Sequence, residues 1–225
     1  MFLGGEVIVL GLPKRTELNG TSGRSIPKNR FYNNLDLTDS QERMFVDQIS
    51  SIRWMNKISP ETMNLESTDD IMEIEIFDID LKGREIDEKL LKLIDCAIIH
   101  PILFVIDNEK SSRYYISFKE RGSNGKIVVK MYYSTDWLDN RTELDFNGLS
   151  TGELYRSLIS QISGDRLTVS GEGSFSDRVN DDIERQKVLA DIEKLEKKIK
   201  NTDQPNLKVE LVHQLREMKV KWGVE

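Results

Sequence analysis

Cysteine is almost absent from this chain. Its single thiol, Cys96, excludes an internal disulfide and suits a reducing compartment, so a cytoplasmic location is expected. Cys96 ends an apolar helical pattern and is expected to be a small buried hydrophobe. Histidine is nearly as scarce. His100 and His213 lie in different parts of the chain, and one cysteine with two distant histidines cannot supply the three or four converging ligands of a zinc site. Candidate serine nucleophiles have no predicted base nearby, so serine-hydrolase chemistry is not indicated. No apolar run approaches the roughly 20 residues that span a bilayer. The opening MFLGGEVIVLGL lacks a basic n-region and a small-residue cleavage site, and Glu6 interrupts it. It is expected to be a short strand or extension rather than a signal peptide.

Positive charge is also in deficit: 32 Lys and Arg stand against 39 Asp and Glu, a net charge of −7. A nucleic-acid binder normally carries a basic domain or stripe, so tight non-specific DNA binding is not indicated, although a local DNA contact stays open. The imbalance is uneven. Residues 61–88 are strongly acidic and residues 14–30 basic. In the basic stretch two Pro-Lys pairs, Pro13-Lys14 and Pro27-Lys28, flank a Gly/Ser/Asn-rich segment at 19–25, a composition that favours turns and mobility. Lys14 and Lys28 are candidate phosphate ligands, but GTSGRS lacks the ordered glycine-lysine pattern of a P-loop.

What is present is a run of legible elements. Thr38 with Gln41 forms a capping-box pattern, and Phe45, Ile49 and Ile52 follow at helical spacing, predicting a helix that ends near residues 54–56. Residues 72–82 alternate as a strand whose apolar phase shifts near Phe77, predicting a β-bulge there. Ile86, Leu90, Leu93, Ile94 and Ala97 mark a helix. Residues 102–106 read as a buried central strand. Residues 113–121 and 126–137 alternate around a Ser123-Asn124-Gly125 turn and predict an antiparallel hairpin. Ser150 with Glu153 caps the next helix, with Leu154, Leu158 and Ile162 on its apolar face. Together these predict an α+β domain over residues 1–162, with a mixed, largely antiparallel sheet and flanking helices. A Gly/Ser-rich linker is expected at 163–177. Over 178–225, Val188, Ile192, Leu195 and Ile199 are answered by Leu211, Leu215, Met218 and Trp222, and Pro205 lies in the break between them. This predicts an antiparallel helical hairpin, a short coiled coil that binds a protein partner through Leu195, Ile199, Leu211 and Leu215.

Asp80-Leu81-Lys82 carries the clearest chemistry. An acid and a lysine two residues apart on a strand share one face. Nucleases of the PD-(D/E)xK type use that geometry, the carboxylate holding Mg²⁺ and the lysine stabilising charge near the attacking water. Asp69 or Asp70 would have to supply the upstream acid, and no predicted strand delivers either. The same alternation describes a solvated strand face. Tyr114, Tyr115, Phe118, Tyr132, Tyr133 and Trp137 could stack bases, but the acidic balance and the missing Lys/Arg-Gly-Phe-type motif make them core and surface strand residues. A non-catalytic reading is preferred, with no cofactor; Mg²⁺ enters only with the nuclease alternative.

The chain resembles a bacterial family catalogued as domain of unknown function 4391. The resemblance rests on Leu12-Pro-Lys-Arg-Thr, Ile26-Pro-Lys-Asn-Arg-Phe-Tyr, Ile58-Ser-Pro-Glu-Thr-Met-Asn-Leu, Glu73-Ile-Glu-Ile-Phe-Asp-Ile, Ile99-His-Pro-Ile-Leu-Phe and Ile192-Glu-Lys-Leu-Glu-Lys-Lys-Ile, in that order. Members tend to be encoded in restriction and phage-defence clusters beside Swi/Snf-type helicases and DNA methyltransferases, and often begin near the Leu-Pro-Lys motif, which makes residues 1–10 an extension. The resemblance implies an accessory or adaptor subunit that binds a helicase or methyltransferase-associated partner; it supplies no catalytic residues. The alternatives are a Mg²⁺-dependent nuclease using Asp80 and Lys82, with Asp70, and a phosphate or nucleic-acid end-binding module using Lys14 and Lys28.

Overall fold

The computed structural model describes residues 10–68, 70–122 and 127–224. The expectations placed on residues 1–9, on Asp69 and on the turn at 123–125 lie outside the described residues. The chain divides into two compact units, Met1–Ser170 and Gly171–Glu225.

The first unit runs β1 (Arg24–Ser25), α1 (Asn29–Asn34), α2 (Asp39–Gln48), β2 (Ile49–Ile58), α3 (Pro60–Met63), β3 (Ile74–Leu81), α4 (Glu88–Cys96), β4 (Ile102–Asp107), β5 (Ser112–Arg121), β6 (Ile127–Ser134) and α5 (Thr151–Ser163). The strands form one sheet in sequence order. Every neighbouring pair is antiparallel except β3 and β4, which are parallel. A parallel pair needs a long crossover, and α4 lies within it. The fold is therefore mixed α+β with a largely antiparallel sheet.

Alternation along the strands builds two covered faces. On one, Phe77, Ile79, Phe104 and Ile106 pack with Phe45, Leu90, Leu91 and Ile94 of α2 and α4. On the other, α5 packs on β5 and β6, with the Phe118 and Tyr155 rings stacked at 6.4 Å. The capping box at Thr38 and Gln41 forms, and the Ser150 side chain accepts from the Glu153 backbone.

Three expectations change. The first helix stops at Gln48, and Ile49 and Ile52 are buried on β2. Isoleucine and Trp54 suit a pleated, buried surface, and pairing along β3 outweighs a helical spacing that three apolar residues match by coincidence. The bulge lies on β2: Trp54 pairs with Phe77 and Asn56 with Ile76, leaving Met55 extra. β3 itself runs unshifted against β4 from Glu75 to Asp80. Covered on both faces, it buries both parities, so its apparent phase change records only where charges interrupt it. Cys96, at the last position of α4, is exposed rather than buried.

In the second unit, α6 (Phe175–Lys200) and α7 (Pro205–Trp222) pack together as an antiparallel pair. Ser174 and Asp177 close a capping box at the start of α6, Pro205 opens α7, and Gly223 ends it at φ 60°, a left-handed position that glycine adopts without strain. Ile192 and Leu211 are buried, while Leu195, Ile199, Leu215 and Met218 are half-buried.

Candidate functional site

Asp80 sits near the end of β3. Its carboxylate accepts a hydrogen bond from Ser51 Oγ at 2.5 Å and pairs with Arg53 Nη1 at 3.2 Å. Lys82 follows the strand and is exposed, as is Asp70 in the loop before it. Beside Asp80, Arg141 bridges the buried Asp78, at 2.8 Å, and Asp107. Burial raises the Asp78 carboxyl although Arg141 opposes it. The arrangement is an arginine-balanced carboxylate network. Among the described residues no three His, Cys, Asp or Glu side chains converge as metal ligands.

Lys14 and Lys28 are not brought together. Lys28 Nζ donates to Ile49 O at 2.5 Å, at the start of β2. Burial, then Lys82, lowers its pKa. Lys14 belongs to a turn at Lys14–Thr16 that docks through Thr16 Oγ1, which accepts from Asn56 Nδ2 at 2.9 Å. Ile49 and Asn56 are about 20 Å apart along an extended strand.

A buried ion pair lies behind α4. Lys119 Nζ is 2.6 Å from Asp95 Oδ1. It also donates to the carbonyls of Asp95, Ile98 and His100 at 3.0, 3.0 and 2.8 Å. Ser117 and Tyr132 donate to Asp95 Oδ2 at 2.5 and 2.7 Å. One ammonium thus satisfies carbonyls at the open end of α4 and holds the segment that carries His100.

His100 is one wall of a cavity of about 340 Å³ between β1, α1, the ends of β2 and β3 and the turn after α4. Its lining includes the apolar Trp54, Phe77, Phe31 and Ile26, the basic Arg24 and Arg30, and the acidic Glu73 and Glu75. Glu73 forms an ion pair with Lys57, and its Oε1 is 3.1 Å from His100 Nε2. Burial works against the Glu73 carboxylate, but Lys57 and His100 hold its pKa below the usual range. Burial lowers the His100 pKa, with Glu73 opposing. Glu75 is only 4% exposed, and its Oε2 has no hydrogen-bond partner. Burial, and then the adjoining Glu73, push its pKa up to about 8. Near neutral pH Glu75 is therefore protonated, and Glu73 stays paired with Lys57.

Residues 10–221 match the model of a family described as a domain of unknown function, DUF4391. The chain belongs to the DUF4391 family. No curated protein and no solved structure matches it. Three of the segments that carry the resemblance, at 26–32, 73–79 and 99–104, meet at the cavity of this DUF4391 chain. Sequence reasoning missed it. Glu75 reads as the polar side of an alternating strand, and Trp54 falls inside the predicted first helix. The available signal was three acids, Glu75, Asp78 and Asp80, inside IEIFDIDL, a segment apolar at both parities.

The second candidate surface of the DUF4391 chain is its hairpin. Lys219 Nζ reaches Glu196 across the helices at 2.9 Å; of the expected seam residues Leu211 is buried, and Leu195, Ile199 and Leu215 are half-buried. Away from the seam, α7 exposes Val209 at 71%, Val212 at 47% and Val220 at 76%. These positions fall on one helical face. Val212 and Val220 line a groove of about 460 Å³ with Leu215.

Proposed function

We propose that this DUF4391 chain is an accessory subunit of a bacterial DNA-targeting defence assembly of the restriction-modification kind, and that its α6–α7 hairpin, a short coiled coil, binds a helicase-class subunit. The observation that carries this reading is the valine face of α7. Isolated exposed apolar residues are ordinary, but three on one face of a helix, two of them lining a groove, resemble helix-docking surfaces. The seam leucines join the two helices; the valines meet the partner. The net charge of −7 disfavours DNA as the direct ligand of the chain as a whole, so DNA is reached through the partner. Among the described residues no helix is long and apolar enough to cross a membrane.

The test is co-expression with the helicase-class subunit encoded in the same gene cluster, followed by size-exclusion chromatography. Val209→Asp with Val220→Asp should abolish co-elution while far-UV circular dichroism and Tm stay at parental values, because both side chains are exposed. A double variant that co-elutes as the parent does would place the interface elsewhere.

A further inference from the structure

We propose that the flank of the hairpin floored by Leu195, Met218 and Trp222 is a self-association surface, on which a second copy of this chain docks its own hairpin, the four helices closing into one bundle. This flank is separate from the valine face. Its groove, of about 640 Å³, shares no lining residue with the groove beside Val212 and Val220. Three observations point to a second copy as the occupant.

The first is an unfinished core. Of the apolar positions expected in the seam of α6 and α7, only Ile192 and Leu211 are buried. Leu195 and Met218 are half-buried and open into the groove. Trp222, on the same groove, is 36% exposed. Two helices side by side leave the stripe between them open along its flanks. Two such pairs, packed at interaxial distances of about 8–10 Å, enclose it. The unit Gly171–Glu225 is also well short of the roughly 70–80 residues below which small folds rely on staples such as oligomerisation.

The second is charge. Asp191 and Lys194 of α6 and Glu217 and Lys221 of α7 rim the groove, two acids against two lysines. A chain with a net charge of −7 repels its own copy, so self-contact is favoured at a patch where the charges cancel. On both helices the acid comes before the lysine. A two-fold axis across the helices turns the second copy end for end, and each acid then lies beside a lysine of its partner. Opposed charges of this kind fix the register of a contact and suppress wrong partners.

The third is area. The 18 residues of α7 make a face about 27 Å long, and two adjacent helices are about 20 Å across. That is roughly 500 Å² for each copy and roughly 1,000 Å² in all, at the lower bound for a specific interface. The dimer is therefore reversible rather than obligate. Other occupants fit less well. Nucleic acid would set its phosphates against Asp191 and Glu217, and a strongly charged protein finds no net charge on this rim to meet.

The test is sedimentation equilibrium of the full chain, loaded from about 1 to about 100 μM, with two charge variants. Lys194→Glu with Lys221→Glu makes the rim wholly acidic, and Asp191→Lys with Glu217→Lys makes it wholly basic. The parent should pass from the mass of one chain towards that of two. Each double variant alone should show a dimer dissociation constant raised by at least about tenfold. An equimolar mixture of the two should dimerise at least as tightly as the parent. None of the four positions is buried, and recovery in the mixture shows that the loss in either variant is not loss of fold. A parent that keeps the mass of one chain across the range, double variants that dimerise as the parent does, or a mixture no tighter than its components overturns the proposal. A monomeric parent whose rim variants lose the helicase-class subunit overturns it too, and assigns the groove to that subunit. Val209→Asp with Val220→Asp should dimerise as the parent does, so failure here and failure of the partner-docking face are read separately.

Discussion

Lys119 has its ammonium inside the protein, 3% exposed, against a fully buried Asp95. Burial pulls the lysine pKa down while Asp95 opposes. Removing one member of such a pair leaves a buried charge uncompensated. Lys119→Met should therefore cost about 3–5 kcal/mol in urea unfolding; a loss under about 1 kcal/mol would mean that water reaches Asp95. Glu75 makes a different prediction. Its carboxyl titrates near 4.5 when unfolded and near 8 in the fold. Stability contributed by the protonated form is complete below about pH 4.5 and is lost as pH rises toward 8, at roughly 1.4 kcal/mol per unit. Glu75→Gln carries no such titration. Its stability relative to the parent should rise steadily across that window; a difference that stays flat with pH would show that Glu75 is ionised in the fold.

At the scale of elements, the helices are held by local chemistry and the strands by neighbours. The Thr38 cap on α2 is reciprocated by Gln41, so Thr38→Ala should cost about 1 kcal/mol, measured by chemical denaturation. The hairpin depends on a short seam. Each buried Leu or Ile contributes roughly 1.5–3 kcal/mol, and of the apolar positions expected in the seam only Ile192 and Leu211 are buried outright. Leu195→Asp with Leu215→Asp should unfold α6 and α7, lowering far-UV helicity, while the near-UV signal of the sheet's tyrosines persists. Loss of both signals together would mean that the hairpin and the sheet unfold as one.

For the whole molecule, the division at Ser170 and Gly171 falls in a run, 168–174, in which every residue is exposed. Exposed segments with small residues are preferred sites of nicking. Limited proteolysis should cut first within 168–174 and leave a Met1–Ser170 fragment that melts cooperatively. A first cut inside either unit would refute that division.

Several features followed from the sequence alone: the caps at Thr38 and Ser150, the antiparallel pair β5 and β6, the buried β4, the two C-terminal helices that pack together, and membership of the family. Each is written in residues close together in the chain, because capping, helical spacing and strand alternation act over a few residues. Tertiary structure decided the rest. β2 is a strand because β3 lies beside it, whatever the helical spacing of Phe45, Ile49 and Ile52. Lys14 and Lys28, alike in their Pro-Lys setting, were separated by the length of β2. Glu75 became a buried acid because helices cover its face of the sheet. Whether a charge on a strand meets water or an aromatic wall depends on what the remainder of the chain lays over it, and no local pattern carries that information.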